Sequence, residues 1–177
     1  MSRLATPTLE TERFILRPLE RGDAAALFPT FADPEQMRYW SRGPFESEEE
    51  LSDWFCDKDW NGRSWVVVAK SGGPALARLV ASPEGDGVSQ IGYLVVRDQQ
   101  GQGIAGETLP ALIGHLFAVE GNRRIWADTD PDNIRSNRLL EKLGFTMERR
   151  LKASWRTHIG VRDSFIWGLS ASDWAAR

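Results

Sequence analysis

The sequence contains little of the chemistry that disulfides and metal sites require. Cys56 is the single cysteine in 177 residues, so no disulfide can form within the chain. The two histidines, His115 and His158, are far apart and have no spacing typical of metal ligands. We therefore expect neither a disulfide framework nor a metal cofactor.

Long apolar runs and basic tracts are also missing. The longest apolar runs are far too short to span a bilayer, and residues 1–4 form no apolar signal core. The net charge is −3, without a basic tract that could follow a phosphate backbone. We expect a cytoplasmic protein with no membrane or nucleic-acid partner. Its length and its 41% hydrophobic content suit one domain spanning residues 1–177.

Alternating apolar residues and turn signals predict an α+β protein with a mixed sheet. Three strands near residues 64–69, 76–81 and 90–96 are joined by short turns and are therefore antiparallel. A helical crossover then makes the strand at residues 124–128 parallel to the strand before the helix. The predicted order is β-α-α-β-β-β-α-β-α-β-β, a mostly antiparallel, seven-stranded sheet flanked by four helices.

The most informative segment is the glycine-rich stretch from Gln100 to Gly106, between an apolar strand and an amphipathic run. Free backbone N–H groups and the positive end of a helix dipole meet at such a loop, which suits a phosphate or pyrophosphate. Two patterns fit this stretch. Gly101, Gly103 and Gly106 match the dinucleotide fingerprint G-x-G-x-x-G. Gln100, Gly103 and Ala105 match Q-x-x-G-x-A, a pyrophosphate loop for acyl-CoA.

The surroundings of the loop weaken the dinucleotide interpretation. An acid is expected about 20 residues after that fingerprint, and Asp128 lies near this place. However, the fingerprint normally opens the first β-α-β unit, whereas antiparallel hairpins come first here. Too few elements follow to complete a six-stranded parallel sheet. A nicotinamide dinucleotide enzyme is therefore the more remote alternative.

The segment from Asn133 to Phe145 favours acyl-CoA. Its sequence, NIRSNRLLEKLGF, resembles the N-x-x-S-x-x-L-x-E-K-x-G-F segment of GCN5-related N-acetyltransferases, the GNAT superfamily. Together with Ile91-Gly92-Tyr93 and the Q-x-x-G-x-A loop, it resembles the branch that includes ribosomal-protein N-terminal (alanine or serine) acetyltransferases. The resemblance extends from Leu16 to the last strand, and it implies a GNAT-like acyltransferase fold.

The resemblance implies acetyl-CoA as the co-substrate and indicates residues that would bind it. Backbone N–H groups of the loop would hold the pyrophosphate, unless the glycines form only a plain strand-to-helix turn. One strand would pair its backbone with the pantetheine arm, and its side-chain identity should matter little. Two helix residues would contact the pantetheine side, although the first of them also suits a helix cap. The loop residues are Gln100, Gly101, Gln102, Gly103, Ile104 and Ala105. The strand residues are Tyr93, Leu94 and Val95, and the helix residues are Asn133 and Ser136.

The same resemblance implies direct attack of a primary amine on the thioester in a ternary complex. The amine must be neutral, the oxyanion needs a hydrogen-bond donor, and the leaving thiolate needs a proton. Many family members have a tyrosine acid just before E-K-x-G-F, but this chain has Leu140 there. Ser136 or solvent is then the proton donor. Asp128 matches an acidic position of N-terminal acetyltransferases and would act as a base through water, although a strand-end acid or a cap also fits.

The acceptor is the part of the function that the sequence leaves open. We expect its site between the first two helices and the last hairpin, lined by Tyr39, Trp40, Trp65 and Trp155, although each tryptophan also fits a core position. An aromatic pocket would suit an apolar or cationic acceptor, either a peptide N-terminus or a small amine. A homodimer is implied by the resemblance alone. Leu140 also raises a second function class, an acyl-CoA-binding sensor or partner domain that has lost catalysis.

Overall fold

A computed structural model describes residues 5–177 of the chain. Its elements, in chain order, are β1 (Leu9–Glu10), β2 (Phe14–Pro18), α1 (Ala24–Phe31), α2 (Glu48–Phe55), β3 (Arg63–Ala69), β4 (Ala77–Gly85), β5 (Val88–Val95), α3 (Ile104–Ala118), β6 (Arg124–Thr129), α4 (Ile134–Lys142), β7 (Thr146–Thr157), β8 (Gly160–Ser170) and α5 (Ala171–Ala175). The strands form one sheet in the order β1-β2-β3-β4-β5-β6-β8-β7. All neighbours are antiparallel except β5 and β6. No helix in residues 5–177 is long and apolar enough to cross a membrane.

The sheet has one strand more than the sequence predicts, and a fifth helix follows the last strand. The additional strand β1 has only two residues, which pair with Leu16 and Ile15 of β2. Two residues show no alternation, so no periodic signal marks them. The short helix α5 is capped by Ser170, whose hydroxyl accepts the Asp173 N–H (3.1 Å). The predicted class, a mostly antiparallel mixed sheet flanked by helices, is confirmed.

Two hydrophobic cores lie on opposite faces of the sheet. Leu112 of α3 and Leu140 of α4 belong to the core on one face, and Phe31 of α1 belongs to the core on the other. Successive strand residues point to opposite faces. Val66 of β3 is therefore buried in the α1–α2 core, whereas Val67 is buried in the α3–α4 core.

The two parallel strands part after three residue pairs. Residues 88–90 of β5 pair with residues 124–126 of β6, and no further pair joins these two strands within residues 5–177. Each strand keeps its outer neighbour: β5 stays paired with β4 as far as Val95, and β6 stays paired with β8 as far as Thr129. The sheet therefore opens between residues 91–95 and residues 127–129. At this opening, the inner backbone edge of β5 has no strand partner among the residues that the structure describes.

Trp65 lies in the core and does not line a surface pocket. Its side chain is fully buried in the core that α3 covers, and its indole N–H donates to the Pro7 carbonyl (2.7 Å). The alternation of β3 turns Trp65 away from the face that carries α1 and α2. The expectation that Trp65 lines the acceptor site is therefore wrong.

Trp65→Ala should lower the free energy of unfolding by about 3–5 kcal/mol, because it leaves a large cavity in a packed core. Trp155→Ala provides a control of the same residue type at a site that is 46% exposed, and it should cost less than about 1 kcal/mol. Urea unfolding followed by circular dichroism would measure both values. Equal losses for the two variants would contradict the core position of Trp65.

Candidate active site

The glycine-rich loop opens α3 with its backbone N–H groups unpaired. Gly101 and Gly103 have φ angles of +79° and +78°, in the left-handed region that favours glycine. Within residues 5–177, no protein acceptor receives the N–H groups of residues 101–106, and the first bond at this helix end runs from Glu107 N–H to the Gly103 carbonyl (3.0 Å). Several free donors and the positive end of the α3 dipole thus meet at one place, which suits an anionic ligand.

The side chain of Gln100 ties this loop to β5 and to α4. Its Nε2 donates to the Val95 carbonyl (3.1 Å) and to Gln36 Oε1 (2.6 Å). Its Oε1 accepts a hydrogen bond from Arg135 on the first turn of α4 (3.2 Å). Gln100 therefore fixes the position of the loop relative to the end of β5 and the beginning of α4.

Tyr93 and Ser136 join β5 to the first turn of α4 beside the opening. Their hydroxyl oxygens are 2.6 Å apart. Burial raises the pKa of Tyr93 to about 12, while the bond to Ser136 opposes the rise, so this phenol stays protonated at neutral pH. Asn133 caps α4, because its side chain accepts the Ser136 N–H (3.3 Å). The Tyr93 side chain thus makes a specific contact with Ser136 that the sequence did not indicate.

Position 140, where the family pattern that this sequence resembles often has a tyrosine, is occupied here by a core residue. Leu140 is fully buried in the hydrophobic core between the sheet, α3 and α4. The hydroxyl group of α4 that contacts β5 belongs to Ser136, one turn earlier, with Tyr93 as its partner. The hydroxyl groups at this place are therefore those of Ser136 and Tyr93.

A groove of about 350 Å³ lies over β6, β8 and β7, on the sheet face opposite α3 and α4. Ile125 and Ala127 of β6 point into the α3–α4 core, so Trp126 and Asp128 point to the groove. The lining residues come from the three strands and are Arg124, Trp126, Asp128, Arg149, Leu151, Ser154, Trp155 and Ile166.

Asp128 is the groove carboxylate that the indole of Trp155 contacts. Its Oδ2 accepts a hydrogen bond from the indole N–H of Trp155 (2.5 Å). Burial raises the pKa of Asp128 above its ordinary value and the charge of Asp130 adds to the rise, while hydrogen bonds from Trp155 and Ser164 oppose it. Asp130 itself pairs with Arg162 (2.7 Å). Among residues 5–177, no lysine, arginine or histidine forms a salt bridge with Asp128.

An irregularity of β7 brings Trp155 to Asp128. From Leu151 to Trp155, β7 advances four residues while the paired strand β8 advances two. Ala153 lies within this bulge with φ +49°, and its N–H donates to Asp163 Oδ1 (3.0 Å). A left-handed alanine is strained, and such strain persists only where surrounding contacts hold it. The bulge therefore positions the indole of Trp155 over the groove.

The four aromatic residues expected at the acceptor site are not brought together. Trp155 lines the groove, and Trp65 lies in the core. Tyr39 donates its hydroxyl to the carbonyl of Asp132 (3.2 Å), next to the beginning of α4. Trp40 packs against the core under α1 and α2. Of the expected set, only Trp155 lines the groove with Asp128.

The sequence predicted only Asp128 and Trp155 among the groove residues. The six that it did not indicate are Arg124, Trp126, Arg149, Leu151, Ser154 and Ile166. Alternation along β6 could have placed Trp126 on the same face as Asp128. Arg149 and Ile166 share a rung with Asp128 only because β8 pairs with both β6 and β7. That pairing is a property of the tertiary structure and leaves no local signal.

Comparison with known proteins identifies the family. The family model described as an acetyltransferase (GNAT) domain matches residues 13–146, which is most of the chain. The chain belongs to the GNAT family. The GNAT protein is therefore an acetyl-CoA-dependent N-acetyltransferase, and the family expected from the loop and α4 motifs is confirmed.

Individual relatives agree with this assignment. The GNAT protein is 29% identical over 153 residues to the uncharacterized N-acetyltransferase YoaA of Bacillus subtilis, which covers 82% of this chain and 86% of YoaA. It is 32% identical over 90 residues to the ribosomal protein uS5 alanine N-acetyltransferase of Escherichia coli. The match covers 48% of this chain and 43% of that enzyme. Its fold matches spermidine N-acetyltransferase from Vibrio cholerae, crystallised with CoA and spermine, with a TM-score of 0.80 and 20% sequence identity. The match covers 92% of this chain and 98% of that chain.

Asp128→Asn should leave the GNAT protein at least as stable as the wild type at pH 7. The pKa of Asp128 is raised in the folded state, so folding disfavours the ionised carboxylate. Wild-type stability therefore falls as the pH rises from the unfolded-state pKa of about 3.9 through the folded-state pKa. The amide removes this titration, so the difference should shrink below about pH 4. It should be small, since the side chain is only partly buried. Urea unfolding at several pH values would measure it, and a variant clearly less stable at pH 7 would contradict it.

Proposed function

We propose that this protein transfers acetyl from acetyl-CoA to a primary amine, either a peptide α-amine or a small amine, in a ternary complex. The observation that carries the proposal is the opening between β5 and β6. The unpaired N–H groups that begin α3 lie at its β5 end. On β6 lies the carboxylate of Asp128, which accepts a hydrogen bond from Trp155. A long thioester and an amine can therefore approach one place from different sides.

The residues around the opening fit acetyl-CoA at three points. Unpaired N–H groups of residues 101–106 would hold the pyrophosphate, and an added Cβ at Gly101 would meet nothing within 4 Å, so the loop surface there is open. The free edge of residues 93–95 would pair with the pantetheine amides as a further strand does. Asn133 and Ser136 lie at the beginning of α4 beside that edge. Acetyl-CoA supplies the activated acetyl group, and these residues bind and orient it.

We assign Asp128 to the acceptor amine. An amine attacks only in its neutral form, and a carboxylate with a raised pKa is better suited to accept its proton than an ordinary aspartate. An α-amine with a pKa near 8 needs little help to lose a proton, whereas a lysine near 10.4 needs more. Trp126 and Trp155 flank the groove on which a peptide end or a small amine would pack.

Ser136 and Tyr93 would supply the proton that the leaving thiolate needs. The Ser136 hydroxyl lies on the first turn of α4, and the protonated Tyr93 hydroxyl contacts it at 2.6 Å. A second hydroxyl behind the first can replace a proton that has been given away. This pair would take the place of the tyrosine that many relatives have at position 140, which here is buried leucine.

A thiol-release assay separates acetyl transfer from the alternative of an acyl-CoA sensor. The purified protein would be given acetyl-CoA with peptides bearing free N-termini, with polyamines, or with aminoglycosides. Release of CoA with one class and not the others supports transfer and names the acceptor. No release with any class, together with tight CoA binding, would support the sensor. Binding of a nicotinamide dinucleotide in place of CoA would contradict both.

Gly101→Ala should weaken acetyl-CoA binding by about tenfold, because a Cβ at φ +79° strains the loop that would hold the pyrophosphate. Gly72→Ala is the matched control, since Gly72 has φ +90° and open space around it in the turn between β3 and β4. It carries similar strain at a distant place and should leave affinity unchanged. Isothermal titration would measure both, and equal losses would contradict the assignment of the loop.

Trp155→Ala should raise KM for the amine by about threefold to tenfold and leave KM for acetyl-CoA unchanged, because the indole lines the acceptor side and binds Asp128. Trp174→Ala is the control, since Trp174 packs against Phe117 of α3, away from the groove. Steady-state kinetics with each substrate varied would measure the effects. An increase in KM for acetyl-CoA alone would refute this location of the acceptor.

A further inference from the structure

The groove over β6, β8 and β7 contains an arginine that forms no ion pair with any carboxylate of residues 5–177. This residue is Arg149, which lines the groove and is exposed on β7. The other groove arginine, Arg124, pairs with Glu148, so those two charges cancel. Of the charged side chains that line the groove, Asp128 and Arg149 therefore remain, one negative and one positive.

A bulge in β7 determines that an arginine occupies this place. From Met147 to Arg149, β7 advances two residues while the paired strand β8 advances one. Without the additional residue, Glu148 would stand opposite Ile166. Its carboxylate lies instead over Gly168, where an added Cβ would collide with it. The bulge thus replaces an acid by a base beside Ile166, and bulges next to active sites often re-aim a side chain in this way.

Asp128 and Arg149 lie on one rung of the sheet, on either side of Ile166. Ile166 pairs with Asp128 of β6 and with Arg149 of β7. Neighbouring strands are about 4.8 Å apart, so the two charged residues are separated by about 10 Å. Side chains of a strand stand roughly perpendicular to the sheet, which keeps the two charged ends a similar distance apart. A ligand with opposite charges at its two ends can therefore bridge them.

This span fits an amine and a carboxylate that share one carbon atom. The bond lengths of an α-amino acid place its nitrogen and its carboxylate oxygens about 3 Å apart. Two hydrogen bonds of about 2.9 Å, one at each end, extend the distance to about 9 Å. A peptide N-terminus has a neutral amide in place of the carboxylate, and a polyamine would bring a second cation toward Arg149. Neither of them complements both charges of the groove.

The order of the strands would orient such a ligand toward the thioester. β6 adjoins the opening to β5, whereas β7 is the far edge of the sheet. An amine at Asp128 would therefore lie beside the opening, and a carboxylate at Arg149 would lie away from it. Trp126, Leu151 and Trp155 also line the groove, whose volume of about 350 Å³ is near the lower end of the range for ligand pockets. The space suits a small acceptor with an apolar side chain.

We propose that the acceptor is an α-amino acid with an apolar side chain, an inference that rests on the proposed acetyl transfer. Arg149 binds its carboxylate, Asp128 receives its amine, and its side chain packs on the groove tryptophans. The neutral amine forms a bond to the acetyl carbon and gives a proton to Asp128, while the carbon–sulfur bond breaks and the thiolate takes a proton from Ser136. The products are an N-acetylamino acid and CoA.

Phenylalanine and leucine, each compared with its carboxamide, test the proposal, because acid and amide differ only in the group that faces Arg149. In thiol-release assays of the full-length protein with acetyl-CoA, each rate is divided by the neutral fraction of the amine. The resulting kcat/KM should be at least about tenfold higher for the amino acid, since only the carboxylate forms charge-assisted hydrogen bonds. Spermidine should be a poorer acceptor than either amino acid.

The outcomes separate this inference from the proposed function. Values for the amides that equal or exceed those for the amino acids would overturn the inference and leave acetyl transfer standing, and so would a preference for spermidine. Release of no CoA with any of these amines or with the peptides and aminoglycosides named above would contradict the proposed function, and this inference with it.

Variants of Arg149 test its contact with the carboxylate. Arg149→Met should lower kcat/KM for the amino acids to the values for the amides and leave KM for acetyl-CoA unchanged. Arg149→Glu should reverse the preference, because a second groove carboxylate repels that of the ligand. A merely structural role of Arg149 would not reverse it.

Arg156→Met, at another exposed arginine of β7, is the matched control and should keep the wild-type preference in full. A preference for the amino acids that persists in both Arg149 variants would overturn the assignment of Arg149. The comparison of acid with amide on the wild type decides the substrate class even if a variant does not fold.

Discussion

The divergence of β5 and β6 is the constraint on which the rest of the structure depends. Parallel pairing holds the two strands together at residues 88–90 and 124–126 only. Had the pairing continued, β6 would satisfy the backbone groups of residues 91–95, and no ligand could pair with them. The strands β4 and β8 hold the diverging strands from outside, so the opening forgoes only the few hydrogen bonds that would join β5 to β6. The loop that begins α3, the first turn of α4 and the groove all lie around this opening.

Most of the fold could be predicted because its signals are local. Alternation and turn residues identified strands β2 to β8, and apolar periodicity with caps identified α1 to α4. The two residues of β1 and the five of α5 are too short to show a period. The position of β8 between β6 and β7 could not be predicted either. A hairpin has two edges, and the sequence does not say which of them pairs with β6.

The two sides of the candidate site also differ in how well the sequence predicts them. Residues 100–106 and 133–136 are contiguous motifs, so the sequence alone assigned them to one ligand. The contact of Asp128 with Trp155 depends on the bulge at Ala153, which the sequence does not reveal. Trp65 was wrongly expected in the acceptor site because the face of β3 on which it lies follows from the strand register.

The order of the strands determines when the protein becomes competent during synthesis. β8 lies between β6 and β7, yet it is translated after both. Until residues 160–170 have left the ribosome, β7 has no partner and Ile166 is not present in the groove. β4, β5 and α3 are complete some 40 residues earlier, so the loop that begins α3 can form first. A nascent chain therefore completes the loop that begins α3 before it completes the groove over β6, β8 and β7.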